Sequence, residues 1–167
     1  MVERVSEIDW QSWQPELLTT LMFVKSNEKV LLIEKKTGLG AGKINGPGGK
    51  IEPSETPLEC AIRETSEELG IEVTDPTPMA ELFFHAIEMP RIKAFVYVGE
   101  HFTGTPQETR EARPIWHASN QLPFDAMWED DRYWLPQILA GAPLTGWFSF
   151  KGERLMDHVI EIGPVIF

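Results

Sequence analysis

The chain has almost no cysteine and too little positive charge for its acid content. Among its 167 residues Cys60 is the single thiol, so no intrachain disulfide can form, and its place inside a helical segment points to packing over reactivity. Lys and Arg number 15 against 26 Asp and Glu, a formal net charge of −11. Such a surface does not grip a polyanion regardless of its sequence, which excludes an extended nucleic-acid partner. No apolar run approaches the roughly 18 residues of a membrane span. The first residues, with Glu3, Glu7 and Asp9, lack the features of a secretory signal, so a cytoplasmic protein with no membrane partner is expected. The four histidines, His85, His101, His117 and His158, are scattered without the spacing of a zinc site. No GxSxG nucleophile elbow occurs. The glycine-rich Thr37–Lys43 stretch lacks the GK[ST] ending of a P-loop and reads as a plain loop. What is present is an ordinary composition, 42% hydrophobic and 25% charged. With no repeat, low-complexity tract or linker, residues 1–167 are expected to form one domain.

The most informative stretch runs from Gly46 to Ile71, GPGGKIEPSETPLECAIRETSEELGI. Thr56 is placed to cap a helix, Pro57 suits its first position, and Gly70 ends it. Leu58, Ala61, Ile62, Thr65 and Leu69 recur at helical spacing and predict the buried face. Glu64, Glu67 and Glu68 then cluster on another, at i, i+3 and i+4. Like charges at that spacing repel, and an anion in the last turn opposes the helix dipole. A hard divalent cation turns the same repulsion into coordination. The pattern alone fits equally a solvated acidic face carrying an Arg63–Glu67 ion pair.

Residues 49–71 resemble the signature of the Nudix hydrolases, G-x5-E-x7-R-E-U-x-E-E-x-G-U with U a bulky aliphatic residue. Gly49, Glu55, Arg63, Glu64, Glu67, Glu68, Gly70 and Ile71 match it. Thr65 departs from the aliphatic residue the family prefers, and its hydroxyl can bond back to the Ala61 carbonyl. The resemblance implies Mg²⁺, or Mn²⁺ in its place, held by Glu64, Glu67, Glu68 and the Gly48 carbonyl. Arg63 would orient the glutamates, and one glutamate would act as base. It also implies an α/β/α sandwich around a mixed central β-sheet. The strand-forming segments agree: Leu17–Val24 and Lys29–Glu34 as a hairpin, then Ala80–Ala86, Ile92–Val98, Arg113–His117, Thr145–Phe150 and Asp157–Glu161, with a helix near Leu135–Ala140. Residues 1–16, with Trp10 and Trp13, read as an arm packed on the body or a dimer contact.

From about Thr20 to Ile162 the likeness narrows to the MutT-homologue branch, whose members hydrolyse oxidised purine nucleoside triphosphates. It rests on GAGKINGPGGK (Gly40–Lys50) and LPFDAMWEDDRYWLP (Leu122–Pro136). Carried over, it implies a base pocket of Asn45, Trp128, Asp130 and Asp131, lined also by Thr20 and Phe83, with Glu111 as a further acid near the metals. The side chains suit the task. Asn45 offers donor and acceptor, Trp128 a stacking face, and two adjacent carboxylates do not readily both ionise. The alternative for Asp130 or Asp131 is a helix cap, which Pro136 weakens for Asp131. Leu39 and Ile44 stand where the branch's human member has aromatic residues, which widens the pocket. Between Glu34 and Lys50, Lys35, Lys36, Lys43 and Lys50 face one acid, a local excess suited to a phosphate chain, with Lys35 taken as the contact. The expected activity is Mg²⁺-dependent conversion of an oxidised purine nucleoside triphosphate to monophosphate and pyrophosphate. The competing readings are a Nudix enzyme for another nucleoside diphosphate-X compound or RNA 5′ triphosphate ends, and a non-catalytic ligand sensor, which retained box glutamates oppose.

Overall fold

A computed structural model describes residues 4–167. The strands are β1 (Leu17–Ser26), β2 (Lys29–Lys35), β3 (Ile44–Asn45), β4 (Gly48–Lys50), β5 (Glu72–Thr74), β6 (Thr77–Ile87), β7 (Ile92–Gly99), β8 (His101–Thr103), β9 (Ala112–Ala118), β10 (Leu144–Lys151) and β11 (Arg154–Ile162). The helices are α1 (Pro57–Leu69) and α2 (Asp131–Leu139), with short 3-10 turns at Val5–Glu7 and Phe124–Ala126. Nine strands form one sheet in the order β11-β10-β6-β7-β1-β2-β3, with β4 joined to β1 and β9 to β2. The β1–β7 and β6–β10 pairs are parallel and the rest antiparallel, so the sheet is mixed as expected. β5 and β8 make a small separate ribbon.

Strand alternation sends neighbouring side chains to opposite faces, and here both faces are covered. Met22, Val24, Leu31, Ile33 and Tyr97 meet Ala61, Leu69 and Ile71 on the α1 side. Phe23, Val30, Leu32, Leu82, Val96 and Phe148 meet Trp134, Leu135 and Ile138 on the α2 side. The sandwich therefore has one helix per face. α1 begins and ends as its sequence predicts. The Thr56 hydroxyl accepts from Glu59 N at 3.1 Å, Glu59 returns the bond to Thr56 N at 3.0 Å, and Gly70 takes the left-handed conformation. Its buried stripe differs from the expected one. Leu58 is 41% exposed while Cys60 is fully buried, because the Cys60 thiol lies against the Thr20 hydroxyl (3.2 Å) and the Lys50 carbonyl (3.4 Å). The helix is thus centred over the glycine turn.

The second helix starts earlier than Leu135. It runs from Asp131 and takes Pro136 into its interior, which leaves the Arg132 carbonyl without its usual donor. Arm residues from Arg4 onward pack on the body: Val5 is buried and its N–H donates to Asp157. Trp10 and Trp13 lie edge-on to Phe83, at 6.3 and 6.0 Å, and Trp13 Nε1 donates to His85 Nδ1 at 3.3 Å. The arm thereby covers Phe83 and stacks beside the Phe83–Trp147 pair. Trp13→Ala removes half-buried aromatic area and this bond, and should cost about 1–3 kcal/mol in a urea unfolding curve. An unchanged midpoint would mean that the arm rests on the sheet without stabilising it.

Candidate active site

The site is built on strands that come unusually close. β4 lies between β1 and α1, and a Cβ on Gly48 would sit 1.9 Å from the Thr20 carbonyl oxygen, while one on Gly49 would sit 2.5 Å from the Glu64 carboxyl group. Only bare backbone fits at Gly48, and a side chain at Gly49 would displace the Glu64 carboxylate. α1 consequently sits directly over the turn, and Gly48 N reaches Glu68 Oε2 at 3.4 Å.

Arg63 fastens the turn to the helix. Its Nε and Nη2 donate to the two Glu55 oxygens at 2.6 and 2.9 Å, and Nη1 to Glu64 and Glu67 at 3.1 and 3.2 Å. The bidentate bond holds Glu55 at about 2, well below an ordinary carboxylate, and raises Arg63 further. Glu67 therefore leans to Arg63 and is half exposed. Of the expected Glu64–Glu67–Glu68 trio, Glu67 is the exposed one turned toward Arg63. The acids that converge are Glu64, Glu68 and Glu111, with one oxygen of each lying within 4.8 Å of the others. Glu68 is only 5% exposed. Burial, then the Glu64 charge, lifts it to about 8, and burial also raises Glu64. Three hard oxygen donors that resist sharing negative charge suit a divalent cation, so the residues present fit the implied ion.

From this cluster a cleft of about 680 Å³ runs across the sheet to α2. Lys35, Arg63, Glu64, Glu67, Glu68 and Glu111 line one end, Asn45, Trp128, Asp130 and Asp131 the other, with Gly48 and Thr20 between. Asn45 Oδ1 accepts from Gly46 N at 2.8 Å, which orients the amide. Trp128 is wedged: Gly40 abuts its indole, Lys43 Nζ lies 5.0 Å from the ring centre and pairs with Glu153 at 2.8 Å, and the Phe150 ring meets it edge-on.

The aspartates are both buried, and neither caps α2 with its side chain. Asp130 Oδ2 accepts from Trp134 Nε1 at 2.7 Å, whereas Asp131 Oδ2 is buried with no partner among the described residues. Burial raises both, Asp131 the further because the Asp130 charge faces it and a hydrogen bond joins the two. Both causes disfavour two charges at once, so the arrangement favours one proton shared within the pair.

Of the expected pocket residues, Phe83 stands elsewhere and Thr20 lines the cleft with its hydroxyl turned away. Phe83 faces the arm on the opposite side of β6, and Phe84 lines the cleft in its place. Thr20 borders the cleft, but its hydroxyl is engaged with Cys60 under α1; Thr19 and Leu21 alternate to the other face and line it too. Phe150 and Met89 were also absent from the sequence reading. Period-two alternation through Leu82, Phe84 and Ala86 was the signal available for Phe84. Nothing local marks Phe150, which arrives from the C-terminal hairpin.

The NUDIX domain profile matches residues 16–138. The chain is 37% identical over 137 residues to the oxidized purine nucleoside triphosphate hydrolase of Mus musculus, covering 81% of this chain and 88% of that protein. It is 36% identical over 146 residues to the protein of the same description from Danio rerio, covering 86% and 94%. Among solved structures, the MutT protein of Bacillus halodurans has a TM-score of 0.77 over 87% of this chain and 97% of its own, at 22% identity, a likeness of fold. A MutT NUDIX hydrolase from Burkholderia pseudomallei has a TM-score of 0.60 at 29% identity, covering 66% and 88%. Among the described residues no helix is long and apolar enough to cross a membrane. A glycine turn too tight for any side chain, an arginine-tied helix of acids above it and a profile match spanning most of the chain make one conclusion: this protein belongs to the Nudix hydrolase family.

Proposed function

We propose that the protein hydrolyses oxidised purine nucleoside triphosphates to the monophosphate and pyrophosphate, using Mg²⁺ or Mn²⁺. One observation carries this reading: a single cleft joins the Glu64–Glu68–Glu111 cluster to a buried Asp131 carboxyl oxygen that has no partner among the described residues. A buried polar atom without a partner is costly, and a purine edge would relieve that cost. The names of the mouse and zebrafish relatives support the same substrate class.

On this reading Glu64, Glu67, Glu68 and Glu111, with the Gly48 carbonyl, would hold the ion, and Arg63 and Glu55 keep the acids aligned. The ion supplies neutralisation of developing phosphate charge and a more acidic water. Lys35, at the same end of the cleft, meets the phosphate chain. At the other end Trp128 stacks on the base, while Asn45 and the proton-sharing Asp130–Asp131 pair read its edge. Glu67 also contacts Arg63, and one of the box glutamates takes a proton from the attacking water.

Two tests follow. Oxidised and unmodified purine triphosphates, ADP-ribose and RNA 5′ triphosphate ends should be compared with Mg²⁺ for products and kcat/KM, and oxidised purine triphosphates should lead. Asp131→Asn fixes one hydrogen-bond pattern. It should lower kcat/KM on the preferred base by about ten- to a hundredfold, the equivalent of about 1–3 kcal/mol, and change the ranking among bases at unaltered Mg²⁺ dependence. A parent-like ranking in this variant would refute base reading by Asp131.

A third test is thermal. Glu68 at about 8 and Asp130 at about 6 lie above their unfolded values, so the folded state binds the extra protons. Their contribution is complete below about pH 4 and is lost as pH rises through 6 and then 8. Tm of the metal-free protein should therefore fall from pH 5.5 to 8.5, and Mg²⁺ should restore most at the alkaline end, where protons no longer compete for the glutamates. A flat metal-free profile over this range would contradict the burial of these acids.

A further inference from the structure

Glu111 is an exposed residue at the start of β9, outside any helix, yet its carboxylate meets two acids of α1. Something must fix its position. The Thr109 hydroxyl donates to the Glu68 carbonyl at 2.8 Å and accepts from Glu111 N–H at 3.3 Å. One oxygen atom therefore joins the last turn of α1, at the residue that carries the buried acid, to the backbone of the third acid.

The surroundings brace that oxygen from both sides. Thr109 N donates to the Ala112 carbonyl at 2.9 Å, and Lys36 N to the Glu111 carbonyl at 2.9 Å. The Lys36 ammonium donates to the Thr109 carbonyl at 2.8 Å and pairs with Glu108. Nearby, Gln107 N donates to the Leu69 carbonyl at 2.9 Å. The segment thus satisfies carbonyls that the end of α1 leaves without helical donors, and it does so with the residues that flank Glu111.

We propose that Thr109 is a positioning residue for the acidic cluster: its hydroxyl sets the separation of Glu111 from Glu68 and so the cluster's affinity for a divalent cation. The proposal rests on the reading of Glu64, Glu68 and Glu111 as the cation site. Thr109 touches neither substrate nor cation. It acts through Glu111, as outer partners of metal ligands do when they hold a ligand in one orientation.

Thr109→Val keeps the shape and removes both hydrogen bonds, and Thr109→Ser keeps the hydroxyl. Mn²⁺ dissociation constants should be measured by titration of the whole protein, alongside metal-free Tm. Thr109→Val should weaken Mn²⁺ binding by about tenfold or more, Thr109→Ser should bind like the parent, and both should remain folded. In a Glu111→Gln background, which itself binds Mn²⁺ more weakly, Thr109→Val should add little. Parent-like affinity in Thr109→Val, or an equal loss in Thr109→Ser, overturns the proposal. So does a full additional loss in the Glu111→Gln background, which would make Thr109 only a helix-end donor. Parent-like affinity in Glu111→Gln itself overturns the reading of the cluster, and the role of Thr109 with it.

Discussion

The approach of β4 to its neighbours governs the rest of this structure. With no side chain at Gly48 or Gly49, the strand lies against the Thr20 carbonyl and under the Glu64 carboxyl group, and α1 can settle on the sheet with Cys60 touching backbone carbonyls. That descent carries Glu68 into the interior and raises its pKa. It also brings Arg63 within reach of Glu55, whose bidentate bond locks turn and helix together. Any side chain at Gly48 would separate β4 from β1, and the acids would spread with it.

The same packing sets stability against function. Glu64, Glu68 and Glu111 gather like charges around the buried Glu68, and Asp130 and Asp131 bury two carboxyl groups at the far end of the cleft. Neither group makes sense as fold support. Apolar residues would fill both positions more stably, since uncompensated buried charge costs several kcal/mol. The costs fall at the two ends of one cleft, where a purine edge at one and a divalent cation carrying a polyphosphate at the other would offset both. The apolar remainder of the protein, two layers of core on either face of the sheet and an aromatic arm over Phe83, supplies the stability that these sites consume.

How much of this could be read from the sequence depends on how local each determinant is. The α1 boundaries were legible because Thr56, Pro57, Glu59 and Gly70 act within a turn of themselves. The acid spacing was legible for the same reason, and so were most strand centres. Spacing alone gathers Glu64, Glu67 and Glu68, whereas Glu111 came only from the family resemblance, because it reaches the cluster from just before β9, 43 residues after Glu68. Phe83 and Phe84 are the same residue type, so only the phase of the strand decides which lines the cleft. The helix was expected only near Leu135–Ala140, with Pro136 counting against a start at Asp131, yet Trp134 and Leu135 bury so much apolar surface that the helix runs from Asp131 with the proline inside. The hairpin that brings Phe150 to Trp128 lies beyond residues 16–138 matched by the family profile.

The central claim is that one cleft holds a purine edge at Asp131 and a phosphate chain at the Glu64–Glu68–Glu111 cluster. A crystal structure of the protein with Mn²⁺ and a non-hydrolysable oxidised purine triphosphate analogue tests it most directly. The account predicts the base stacked on Trp128, with a ring atom within hydrogen-bond distance of Asp131 Oδ2, and Mn²⁺ between the triphosphate and the three glutamates. A base lying outside the cleft, or Mn²⁺ bound without Glu68, would contradict it.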